Sequence, residues 1–150
     1  MQTVLVFLGL AAVAAVMVMS GLRRSAKNRP VRQSIAGQRV LRETPVHVKY
    51  ALPTGDWSKK NLALMELVVR DRSVQVTLNR PKFGSFMGSD WYFNVGASRA
   101  YRCDIHSSLG SEWIALESEA DGKRIAVLPK SESLDEVWRS LRDIGMAEAA

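Results

Sequence analysis

From Thr3 to Leu22 the chain reads TVLVFLGLAAVAAVMVMSGL, twenty residues without a charge and with only Thr3 and Ser20 polar. Wound into a helix at about 1.5 Å per residue, such a run is roughly 30 Å long, the thickness of a bilayer's hydrocarbon layer. A helix bonds its own backbone groups and can cross that layer without water, whereas a helix on the surface of a small domain keeps a polar face. Residues 1–22 are therefore expected to form a transmembrane helix. A cleaved signal peptide carries positive charge ahead of its apolar run, and Met1-Gln2-Thr3 has none beyond the amino terminus.

The charge comes afterwards. Arg23, Arg24, Lys27, Arg29, Arg32, Arg39 and Arg42 follow with no acidic residue among them. Basic flanks are held on the cytoplasmic side. The expected location is thus the inner (plasma) membrane, single-pass, with the amino terminus outside and the remainder of the chain cytoplasmic. Seven of the 21 basic residues precede Glu43 and none of the 15 acidic ones does, leaving 14 basic and 15 acidic side chains from residue 43 onward. The net charge of +6 thus belongs to the segment after the apolar run, not to the bulk of the chain. A nucleic-acid-binding domain carries its own basic face, so nucleic acid is not an expected partner. Anionic lipid headgroups suit the basic segment better, with Arg23, Arg24, Lys27, Arg29 and Arg32 as candidate lipid contacts.

Residues 23–44 read as a basic juxtamembrane linker, since Pro30, Gly37 and Pro45 interrupt a long helix and apolar residues are sparse. After Pro45 the period changes to two. Val46 to Leu52 alternates as a half-buried strand does, and Pro53-Thr54-Gly55-Asp56 is a turn cluster. Leu62–Val69 and Val74–Leu78 read as a hairpin across Asp71-Arg72-Ser73. Asn79 to Asp90 is a loop containing Pro81, Gly84 and Gly88. Trp91–Val95 and Tyr101–Ile105 are short strands, and Trp113–Glu117 and Arg124–Leu128 flank Asp121-Gly122, a strong hairpin signal. Ser133-Leu134-Asp135-Glu136 fits a capping box. Leu134, Val137, Trp138, Leu141 and Ile144 then recur at helical spacing until Gly145, which marks an amphipathic helix able to lay one stripe on a sheet.

About seven antiparallel strands followed by one amphipathic helix resembles the pleckstrin-homology-like (PH-like) fold. The resemblance spans Val46 to Met146 and rests on element order and on Trp138 and Leu141 in the closing helix. It implies two packed antiparallel sheets with the helix closing one end. Small bacterial single-pass membrane proteins carrying such a domain are the group the chain is similar to. The expected fold class is an N-terminal transmembrane helix plus a mainly-β PH-like domain over 45–146, closed by that helix, with 147–150 as a tail.

Chemistry is sparse. His47, His106 and Cys103 are the only nitrogen and sulfur ligand candidates, and Cys103 and His106, three apart in a strand, point to opposite faces. A structural zinc site needs four ligands, so no metal or other cofactor is expected. No nucleophile stands beside a base in a recognisable motif, and no catalytic residue is assigned. The Gly84-Ser85-Phe86-Met87-Gly88 loop lacks the Lys-Ser/Thr ending of a phosphate-binding loop. Its Phe83, Phe86 and Met87 are instead candidate partner contacts, because exposed apolar clusters mark interaction sites. The functional expectation is a non-catalytic, membrane-anchored accessory or adaptor protein that binds a larger membrane protein complex at the cytoplasmic face. The alternatives are a module sensing lipid headgroups and a membrane-associated enzyme.

Overall fold

In the computed structural model, residues 2–78 and 91–147 are described, with side chains at 4, 6–20, 35–77 and 91–147. The chain divides into two compact units. The first is built on helix α1 (Gln2–Ile35). The second holds seven strands, β1 (Val40–Tyr50), β2 (Leu62–Arg70), β3 (Ser73–Leu78), β4 (Trp91–Asn94), β5 (Ser98–Asp104), β6 (Glu112–Ser118) and β7 (Arg124–Pro129), and helix α2 (Leu134–Asp143).

The single-pass anchor expected from the sequence is corrected. Among the described residues, no helix is long and apolar enough to cross a membrane. The fold class loses its transmembrane element. The inner-membrane, single-pass location and the outside-to-inside orientation rested on that element and are withdrawn with it. The helix also continues through Pro30, where the sequence suggested a broken linker. One proline removes a single N–H bond and bends a long helix without ending it.

The sheet is a meander curled on itself, in the order β4-β3-β2-β1-β7-β6-β5, with every strand pair antiparallel. Strand β1 is the longest at 11 residues, pairing β2 along most of its length and β7 through Val46–Tyr50. Alternation decides what the curl encloses. Val46 and Val48 of β1, Leu67 and Val69 of β2, Val74 and Val76 of β3, Phe93 of β4, Ile114 and Leu116 of β6, and Ile125 and Val127 of β7 all point inward and are buried.

Helix α2 closes this core. The Ser133 hydroxyl accepts from the Glu136 amide (3.2 Å), which satisfies one orphan N–H of the first turn. Gly145, at φ +80°, ends the helix, with Gly145 N donating to Arg142 O and Met146 N to Leu141 O. That pair of bonds is the Schellman arrangement, which needs a left-handed residue and so favours glycine. Val137 and Leu141 are fully buried against the sheet, while Trp138 is only half-buried. The indole packs at the margin of the core and lies under the Arg102 guanidinium, 5.2 Å from ring centroid to Cζ.

Candidate functional site

The residues singled out from the sequence fall largely beyond what the structure describes. Phe83, Phe86 and Met87 lie in 79–90, outside the described residues. Arg23, Arg24, Lys27, Arg29 and Arg32 lie within the α1 backbone, and their side chains are outside the described set. Of the seven basic residues grouped from the sequence, Arg39 and Arg42 are described in full; Arg39 is exposed, whereas Arg42 faces its own domain. Its Nε donates to Ser140 Oγ (2.7 Å) and its Nη1 pairs with Glu132 (2.5 Å), tying β1 to α2.

The outer face of β1, β7, β6 and β5 carries a second, smaller core. Register places Lys49 opposite Ala126, Ala126 opposite Ala115, and Trp113 opposite Cys103. The segment joining β1 to β2 folds back over these residues. Ala51 and Trp57 form an isolated bridge, and Trp57 packs with Ile105, Trp113 and Ala126. The two alanines leave room for the indole; both are completely buried. Lys49 pins the segment down. Its ammonium, on a residue 4% exposed, donates to Ser58 O (2.9 Å) and Lys59 O (3.1 Å) and lies 5.8 Å from the Trp113 ring centroid. Ser58 Oγ accepts from Tyr50 N and donates to Lys60 O. Arg124 stacks on Trp57 at 4.7 Å and donates to Gly55 O (2.6 Å).

Burial, aided by Asp104, pushes the Cys103 thiol up to about 11, so it is protonated and unreactive at neutral pH. Burial and the nearby Lys130 ammonium lower the His47 imidazole, keeping it neutral. Arg102 pairs with both Glu112 and Asp135, and Arg99 with Glu117, which raises both guanidinium pKa values. No group of three or more His, Cys, Asp or Glu side chains suited to a metal ion occurs among the described residues.

The largest unusual surface is on α1. Val4, Val6, Phe7, Leu8, Leu10, Val13, Val16, Met17, Val18 and Met19 stand 54–70% exposed. At about 100° per residue, Val6-Phe7-Leu8 and Val16-Met17-Val18-Met19 each sweep most of the helix circumference. The apolar surface is therefore a collar around the helix and not a stripe. Sequence reasoning found the run but assigned it to lipid. It missed Lys49, which an alternating strand presents as an ordinary outward polar residue.

No protein-family model matches the chain, and no curated protein matches it. Among solved structures, the crystal structure of the C-terminal domain of an unknown protein from Leishmania infantum is similar over 80% of this chain and 96% of that one, at 6% identity and a TM-score of 0.49. That likeness is too weak to bear on fold or function.

Proposed function

We propose that the chain is a non-catalytic adaptor that docks onto a larger protein assembly through the apolar collar of α1. The collar is the observation that carries this reading, because contiguous exposed apolar surface of this extent marks a site that another molecule covers. The collar also selects the kind of partner. A second copy of α1 or a single groove would bury one stripe, whereas exposure on all sides suits a partner that surrounds the helix with several helices. The second unit supports a binding role through its chemistry: its thiol is held protonated, and Arg42, Arg99 and Arg102 pair with carboxylates of their own domain. The proposal takes that unit as pleckstrin-homology-like, on the strength of a seven-strand meander with β1 beside β7 and one closing helix.

The test is recovery of partner chains from cells with a tagged full-length protein, extracted in mild detergent and read by mass spectrometry. A fixed set of chains at constant stoichiometry is expected with the unaltered protein and is expected to vanish when Leu10, Val13 and Met17 are together changed to Gln. Recovery of the same set by the altered protein would overturn the proposal.

A further inference from the structure

Strand β2 carries a β-bulge opposite His47. Val46 pairs with Met65 and Val48 with Leu62, so two residues of β2, Ala63 and Leu64, stand against one of β1. A bulge interrupts the ladder and leaves backbone groups that need other partners. Lys130 supplies one of them. Its amide donates to Pro45 O (3.1 Å) and its ammonium to Ala63 O, so the residue that follows β7 reaches across β1 to β2. Leu128 pairs with His47, and by alternation Lys130 runs over the same outer face of the sheet.

His47 sits beside this crossing with one nitrogen unprovided for. The imidazole is half-buried, and its Nδ1 is fully buried without a hydrogen-bond partner. A neutral ring tolerates that, because Nδ1 then need carry no proton. An imidazolium has an N–H on both nitrogens, and a buried charged donor without an acceptor is costly. Charge acts in the same direction. The Lys130 ammonium opposes a proton on His47. Lys49, two residues along β1 on the same face, opposes it too, as do Lys59 and Lys60 of the segment folded over Lys49. Glu66, which pairs with Pro45, is the carboxylate on this face of β2 and favours the proton. The cations and the unprovided nitrogen outweigh it.

We infer that Lys130 is a latch on the β2 bulge and that His47 is its proton switch: a proton taken up from solvent by His47 drives the ammonium off Ala63 O and frees the entry to β2, residues 61–64, while the rest of the sheet stays folded. The core side of the same strands, Val46, Val48 and Met65, is buried on the opposite face and does not depend on the latch. Proton and latch exclude one another, so acid opens the bulge and neutral pH closes it. The device lies within the sheet and does not rest on the α1 collar.

The test follows the full-length chain by two readouts across pH. The ring C–H resonance of His47, told apart from that of His106 with His106→Gln, gives the titration of the imidazole. Hydrogen exchange of residues 61–65, corrected for the intrinsic pH dependence of exchange, gives the opening of the bulge. In the unaltered chain exchange at 61–65 is expected to rise severalfold as pH falls through the His47 titration, with Ile114 and Leu116 of β6 still protected. Lys130→Met is expected to exchange fast at every pH and to raise the His47 titration, because the two events are linked reciprocally. His47→Gln is expected to exchange slowly at every pH. Exchange at 61–65 that ignores the His47 titration, or that persists in His47→Gln, overturns the inference. So does opening of 61–65 only together with Ile114 and Leu116, which would be unfolding of the whole sheet. The unaltered chain decides by itself if a variant fails to fold.

Discussion

Lys49 is a buried cation held by two carbonyls and an indole, with no carboxylate bridged to it among the described residues. Changing it to Met keeps the stem but leaves the Ser58 and Lys59 carbonyls without their donor. A loss of about 1–3 kcal/mol is expected from leaving buried acceptors unpaired, read as a lower denaturant midpoint. An unchanged midpoint would mean that Lys49 does not hold the segment against the sheet. Two titrating groups shape the pH dependence from opposite ends. The Cys103 thiol is raised from 9.0 to about 11, so folding favours its protonated form; that contribution is complete below pH 9 and is lost as pH rises through about 11. His47 is lowered from 6.5, so its contribution is present above 6.5 and is lost as pH falls through the folded value. Stability is expected to be flat between these limits as far as these two groups decide it. Cys103→Ala should flatten the alkaline limb and His47→Gln the acid one, measured by urea midpoints across pH. Little of this was legible from the sequence. The burial of Lys49 on the outer face depends on a segment from elsewhere folding over it, and alternation within a strand carries no trace of that.

At the scale of elements, local chemistry was far more informative. The Ser133 cap and the Gly145 stop are short-range signals, and each sits in the structure where a backbone bond requires it. The limits of β1 were not legible, since Val40 and Leu41 are exposed and the strand begins before its alternation becomes clear. The hairpin joining β6 and β7 turns through Asp121 and Gly122, the latter at φ +70°, as the dipeptide suggests. What the pattern misjudged is the weight of Trp138. The buried anchors of α2 are Val137 and Leu141, with the indole against Arg102. Leu141→Ala is expected to cost about 2–5 kcal/mol, and Trp138→Ala clearly less, in thermal or urea melts. The reverse order would mean that α2 seats its indole in the core. Ser133→Ala is expected to cost about 1 kcal/mol through loss of the cap.

For the whole molecule, the two units differ in what they leave to solvent. The sheet and α2 bury most of their large apolar side chains in one core, whereas α1 displays ten described ones all round. The apolar run was plain in the sequence, but its partner was not, because hydropathy ranks a lipid chain and a protein interior alike. The most direct measurement of the docking reading places a photo-crosslinking residue in turn at Phe7, Leu8, Val13 and Val16, positions that face different sides of the helix. Irradiation in cells is expected to attach protein chains from one assembly at all four positions. Adducts confined to one side, adducts only to a second copy of the chain, or no protein adduct at any position would contradict it.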